Sequence, residues 1–247
     1  MLLQIVSDLH IEYLPENTDL LSLIKPVGDI LILSGDIGSI YKIDQLKNFF
    51  LQLSPHFKVM LYILGNHEFY YYNDKIQLDM ETLYTQVNNM AKSIQNLKIL
   101  DRASVVIGDT CICGSTLWSK PEIKIPKYIL RIKGINNEIY ENMHDKDLEY
   151  IETMIEYCQI KNLKLIVVTH YPPSARVLGN TIKKNPSLYV NNLDHLLVKE
   201  KIHTWISGHI HVNFDITTEE GTRLIGNQLG KPRENVTTFK KDFFIEI

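Results

Sequence analysis

The chain has 247 residues, of which 45% are hydrophobic and 22% charged, with a formal net charge of -3. That is the balance of a globular chain able to bury a core, and it carries no overall nucleic-acid or membrane signature. The apolar runs are far shorter than the roughly 20 residues a bilayer span needs, and no basic region or cleavage site precedes the first run, so an intracellular, cytoplasmic protein is expected.

Strand-like runs come first at residues 2–6 and 30–34. Apolar spacing at Ile43, Leu46, Phe49, Phe50 and Leu53 then predicts a helix over 43–53, followed by a strand over 58–63. Ile76, Met80, Leu83, Val87, Met90 and Ala91 predict a helix over 76–94, before strands at 103–107 and 110–114. Leu148, Ile151, Met154, Ile155 and Cys158 predict a third helix over 145–160, followed by a strand at 165–169. A shorter helix is expected over 191–200, with Asn191 or Asn192 available as its cap, before a strand at 204–207. Runs at 213–217 and 222–226 flank Glu219-Glu220-Gly221, a hairpin signal, and a strand over 242–247 ends the chain.

The first half alternates strand and helix, which implies parallel pairing through crossovers, whereas the last quarter is nearly all strand. Two mixed β-sheets with helices outside fit both halves: an α/β (α+β) fold, layered α-β-β-α. One domain over 1–247 is expected. Cys111, Cys113 and Cys158 leave an odd count and no disulfide framework, and are expected to be buried thiols.

Five segments each end a hydrophobic run with metal-binding side chain types. They are Ser-Asp-Leu-His (Asp8, His10), Gly-Asp (Asp36), Gly-Asn-His-Glu (Asn66, His67, Glu68), Thr-His (His170) and Gly-His-Ile-His (His209, His211). Side chains two apart on an extended run share a side, so Asp8 with His10, and His209 with His211, are each able to share one ion. A carboxylate such as Asp36 can bridge two cations, the Asn66 carbonyl is a neutral hard ligand, and a His beside it can stay unligated to handle a proton. Each segment alone is mostly a turn signal. Their joint order, each after a strand, is what carries weight, because ligands gather beyond the carboxyl ends of strands in α/β sheets.

In this order the segments resemble the calcineurin-like metallophosphoesterase superfamily, whose blocks run Asp-x-His, Gly-Asp, Gly-Asn-His-[Asp/Glu], His and Gly-His-x-His. The match spans Asp8 to His211 with every block intact. The resemblance implies that Asp8, His10 and His211 hold one ion, that Asp36 bridges, and that Asn66, His170 and His209 complete a second. It implies that His67 is unligated and stabilises the phosphate or protonates the leaving oxygen, while Glu68 orients neighbours. The implied reaction is hydrolysis of a phosphate mono- or diester, a hydroxide bridging the two cations attacking phosphorus in line, with His67 and Asp36 as catalytic residues. Mixed nitrogen and oxygen ligation suits manganese, iron or zinc better than magnesium or calcium, and family habit puts manganese first.

Departures narrow the resemblance. Protein Ser/Thr phosphatases of this kind place an Arg after the Gly-Asp block, but Gly35-Asp36-Ile37-Gly38-Ser39 has none. Purple acid phosphatases have a Tyr ligand where Ser39 stands. What remains is likeness to small, cap-less bacterial-type members, with a small-molecule phosphoester as the expected partner. A nuclease and a non-catalytic scaffold on the same fold are the rival readings. The nuclease is disfavoured because little chain remains for a capping domain, and the scaffold because no block residue is missing. Cation-rich loops at 119–134 (Lys120, Lys124, Lys127, Arg131, Lys133), after His170 (Arg176, Lys183, Lys184) and at 231–241 (Lys231, Arg233, Lys240, Lys241) either steer anionic substrates or form a solvated face. The run Phe69-Tyr70-Tyr71-Tyr72 is read chiefly as core packing, and His56, His144, His195 and His203 as surface or structural residues.

Overall fold

A computed structural model of the chain describes residues 1–15, 17–72, 76–126, 128–179 and 184–247. The elements run β1 (Leu2–Val6), β2 (Ile30–Ser34), α1 (Ile43–Leu53), β3 (Val59–Ile63), α2 (Met80–Lys92), β4 (Leu97–Ile99), β5 (Ala103–Ile107), β6 (Thr110–Ser115), α3 (Asn137–Lys161), β7 (Lys164–Thr169), β8 (Thr204–Ile206), β9 (Phe214–Thr217), β10 (Arg223–Gly226) and β11 (Phe244–Glu246). One sheet has the order β11-β1-β2-β3-β4 and the other β5-β6-β7-β8-β10-β9. Both are mixed: β1 to β4 are parallel with β11 antiparallel at the edge, and β6, β7, β8 and β10 are parallel with antiparallel edges β5 and β9.

Period-two alternation decides the layers. Leu3, Ile5, Ile30, Ile32, Leu61 and Ile63 of the first sheet meet Ile112, Ile166, Val168, Ile206 and Ile225 of the second in a fully buried inner core. The alternate residues face outward. Val6, Leu31, Leu33, Met60 and Tyr62 pack under Leu46, Phe49, Phe50 and Leu53 of α1 and Leu83, Val87 and Met90 of α2. Cys111, Cys113, Leu165 and Val167 pack under Ile151, Met154, Ile155 and Cys158 of α3. With both faces covered, central strands read as continuous apolar runs, which is why their sequence pattern was strong. The four-layer α-β-β-α arrangement expected from the sequence is the one observed, and the three thiols are buried and free.

Some boundaries differ for identifiable reasons. The second helix starts at Met80, not Ile76, because the Asp79 carboxylate accepts from Thr82 N at 2.8 Å. The third starts at Asn137, eight residues before the expected 145, where Asn136 Oδ1 accepts from Ile139 N at 2.8 Å. The helix expected over 191–200 does not form. Asn191 N and Leu193 N donate to the carbonyls of Pro172 and Pro173, and Leu193, Leu196 and Leu197 enter the core through a single 3-10 turn, Asp194–Leu196. The three-residue strand β4 was too short for a periodicity to show. No described helix is long and apolar enough to cross a membrane.

Candidate metal centre

The ligand types sit where parallel strands stop. The loops leaving β1 and β2 stay side by side: Asp8 N donates to Gly35 O, His10 N to Asp36 O and Ile11 N to Ile37 O, each at 3.0 Å. Glu68 fastens the third loop to them. Its buried carboxylate accepts from Asp36 N (3.0 Å), Ile37 N (2.8 Å), Gly65 N (2.9 Å) and Tyr62 Oη (2.6 Å). Burial, and then the Asp36 charge, push the Glu68 carboxyl up to about 8 against the hydrogen bonds that favour its ionised form. From the second sheet, Gly208 N donates to His170 O at 2.9 Å, and His209 N donates to the Asp8 carboxylate at 3.1 Å.

The backbone at these residues is not extended. Asp8, His10, Asp36, His209 and His211 all have positive φ, between 46° and 71°. The expectation that strand periodicity aligns Asp8 with His10, and His209 with His211, is therefore corrected. Left-handed turns aim the side chains, at a cost of about 1–2 kcal/mol per residue, and such strain clusters at functional sites. Asp8 and His10 still converge. His209 and His211 do not share a position: His211 joins Asp8 and His10, while His209 joins Asp36 and His170, ligand atoms in each group lying within 4.8 Å of one another. Glycine in the fifth block is a packing requirement, since a Cβ on Gly208 would collide with Ser7 Oγ and Asp8 Oδ2.

In the first group His10 Nε2 lies 3.1 Å from His211 Nε2 and 3.7 Å from Asp36 Oδ2, and His211 Nε2 lies 3.3 Å from Asp8 Oδ1. In the second, His170 Nε2 is 2.9 Å from Asn66 Oδ1, 3.2 Å from His209 Nδ1 and 3.4 Å from Asp36 Oδ1. The two oxygens of Asp36 thus face different groups. His67 lies beside them without entering either. Its backbone N–H donates to Asp36 Oδ1 at 2.8 Å, and its ring Nδ1 is 3.3 Å from Tyr72 Oη and 3.4 Å from Tyr13 Oη.

The far nitrogens reveal the protonation pattern. His170 Nδ1 donates to Ser34 O at 3.0 Å, His10 Nδ1 to Glu12 Oε1 at 3.2 Å, and His211 Nδ1 to Glu234. Each neutral ring therefore turns a bare Nε2 lone pair inward, toward other acceptors. Such a set is repulsive until a cation, or extra protons, sits among them, so the donor set fits two divalent ions. Without metal the charges compensate otherwise. Burial opposes a charge on His170, but Asp36 outweighs it and raises the ring to about 9. Burial likewise pushes Asp36 up, and His170, then His67, hold it well below the carboxylate range. Burial and the His170 charge push His209 down.

Two residues escaped the sequence. Glu12 is buried, holds His10, lies 3.5 Å from His67 Nδ1 and accepts from Tyr72 Oη at 3.2 Å, leaving Oε2 without a partner among the described residues. Glu234 holds His211. Of the residues set aside, His144 is buried and its Nδ1 donates to Trp118 O at 2.6 Å, while His56 and His195 are exposed. Phe69 and Tyr70 are core, whereas Tyr72 is 41% exposed. The cleft above the centre has a volume of about 470 Å³ and is lined by Asp36, His67, Tyr189, His209, His211 and Lys231 among others. A larger hollow of about 730 Å³ beside α1, lined by residues such as Asp19, Lys42 and Gln45, contains no imidazole.

Fold and site together define a hydrolase-like α/β metalloprotein. The chain matches the family model for calcineurin-like phosphoesterases over residues 1–213 and belongs to that family. It is thus a metal-dependent phosphoesterase by kind. An uncharacterized protein of Acanthamoeba polyphaga mimivirus is 30% identical over 276 residues, an alignment that covers all of this chain and 96% of that one. Among solved structures, a phosphopantetheinyl hydrolase from Mycobacterium tuberculosis superposes with a TM-score of 0.76 at 18% identity, covering 99% of this chain and 95% of the other. A dimetal phosphatase from Danio rerio gives a TM-score of 0.55 at 12% identity, covering 92% and 86%. At such identities these structures speak for the fold.

Proposed function

We propose that this chain, acting as one domain over 1–247, hydrolyses mono- or diesters of phosphate on small molecules with two divalent ions, manganese first among them. Asp8, His10 and His211 would hold one ion, Asn66, His170 and His209 the other, with Asp36 between. The observation that carries this reading is the ring of bare acceptors, in which His10, His170 and His211 each have the other ring nitrogen engaged. Two such ions supply an acidified water and neutralise phosphoryl charge.

The remaining work falls to the protein's own groups. As the water oxygen bonds to phosphorus, the bond to the alcohol oxygen breaks and its electron pair leaves with that oxygen. His67 gives the alcohol oxygen its proton. Burial lowers His67 below the ordinary imidazole value, and Asp36 and Glu12 recover only part of that, so a phosphate dianion beside the ring is what favours the charged donor. Tyr13 and Tyr72 fix the ring plane from behind.

The test is turnover of p-nitrophenyl phosphate and its bis-ester by protein loaded with manganese, iron or zinc. At least one ester should be cleaved, and a chelator should stop it. His67→Ala should still bind two ions per chain while kcat falls about 100- to 10,000-fold. Absence of cleavage with every metal would sink the enzymatic reading and favour a scaffold.

A further inference from the structure

Five arginines occur in the chain. Three are neutralised: Arg102 pairs with Asp101 and Asp147, Arg176 with Asp194 and Glu220, and Arg223 with Asp215. The other two, Arg131 and Arg233, have no carboxylate partner among the described residues, and both line one cleft. That cleft, about 340 Å³, is formed by Tyr13, Arg131, Lys231, Pro232 and Arg233. The basic loops of the sequence thereby sort themselves. Lys120 pairs with Asp145 and Arg176 is doubly paired, Lys127 and Lys183 lie outside the described residues, and the two arginines without a carboxylate meet here, with Lys231, from two distant loops.

The position of this cleft gives it meaning. Lys231 also lines the cleft over the metal centre, so the two spaces adjoin. Tyr13 forms a wall of the basic cleft and stands 3.4 Å from His67 Nδ1. The guanidinium of Arg131 lies 4.7 Å from the Tyr70 ring centroid and 5.8 Å from that of Tyr72, which fixes its plane. The turn Pro232–Glu234 that carries Arg233 also carries Glu234, which holds His211. A leaving group protonated by His67 would extend past that ring into the basic cleft.

We infer that the substrate's alcohol portion bears a second phosphate-class anion, distinct from the scissile phosphate, and that Arg131, Lys231 and Arg233 hold it. This rests on the phosphoesterase reading and narrows its substrate class. Guanidinium groups suit the recognition because they bind phosphate through paired N–H donors.

The experiment compares adenosine 3',5'-bisphosphate, each of whose phosphates leaves from an alcohol carrying the other, with adenosine 5'-monophosphate and p-nitrophenyl phosphate on metal-loaded protein. kcat/KM for the bisphosphate should exceed that for the monophosphate by about tenfold or more, and the ratio should fall as salt rises. Arg233→Gln, an exposed site where misfolding is not a concern, and Arg131→Gln should each lower the bisphosphate preference severalfold, while Lys25→Gln, at a remote ion pair, should not. If neither p-nitrophenyl phosphate, nor its bis-ester, nor either adenosine phosphate is cleaved, the phosphoesterase reading falls and takes this one with it. If any of them is cleaved but the bisphosphate is not preferred over the monophosphate, or the preference survives both arginine substitutions, only the second-anion assignment is overturned. Preference for a phosphorylated oligonucleotide over the bisphosphate would overturn the small-molecule class.

Discussion

Glu12 shows how much of the centre lies outside its recognisable blocks. Its carboxylate touches His10 and accepts from Tyr72, so it fixes which nitrogen of His10 is bare. Orienting partners of this kind typically contribute 10- to 100-fold to metal affinity. Glu12→Gln is accordingly expected to weaken one of two ions by about 10- to 100-fold in a calorimetric titration with manganese. Equal affinity at both sites in the variant and the parent would show that Glu12 does not set the ring. The nine block residues were legible because five short patterns recur in a fixed order after strands. Glu12 and Glu234 were not, since a single acid flanked by Ile11 and Tyr13, or following Pro232 and Arg233, matches any solvated turn. The nearest available signal was Glu12's place two residues beyond His10. Left-handed backbone at Asp8, His10, Asp36, His209 and His211 was equally invisible, because nothing in those residue types announces it.

Secondary elements divide by how they bury surface. Strands buried on two faces, such as β2 with all five residues buried, announce themselves as unbroken apolar runs. Helix α1 does so through its one packed stripe, with boundaries as expected. The segment 191–200 misled because Leu193, Leu196 and Leu197 mimic a helical stripe while the prolines of the preceding loop capture its amides. α3 began early because capping chemistry at Asn136, rather than periodicity, sets its start. The loops that carry the ligand types hang from strands and not from helices, which separates stability from function. Phe49, fully buried on the inner face of α1, is expected to cost about 3–5 kcal/mol in urea unfolding when changed to Ala. Metal-loaded turnover at 25 °C should be unaltered so long as the variant remains folded. A loss of turnover in folded protein would mean that the helical layer also tunes the centre.

At the scale of the molecule, the centre straddles two sheets. Asp8, His10, Asp36 and Asn66 come from the first and His170, His209 and His211 from the second, so bound ions would clamp the layers together, adding about 2.7 kcal/mol when free metal is 100 times Kd. The clamp should depend on pH in a definite direction. His170, raised from 6.5 to about 9 in the metal-free fold, stabilises that fold fully below pH 6.5 and loses this contribution as pH climbs through 9. The same proton competes with metal. The gap in Tm between manganese-loaded and chelated protein should therefore widen from pH 6.5 to 9, as read by thermal unfolding in matched buffers. A constant gap would remove His170 from the ligands.

The division of ligand types along the chain also orders the protein's biosynthesis. Under the proposed assignment one ion requires His211 and the other requires His170 and His209, so no nascent polypeptide that stops before His209 encloses a complete coordination set for either. Metallation then follows synthesis of His209 and docking of the second sheet on the first. Truncated translation products would be born without the means to sequester a cation pair.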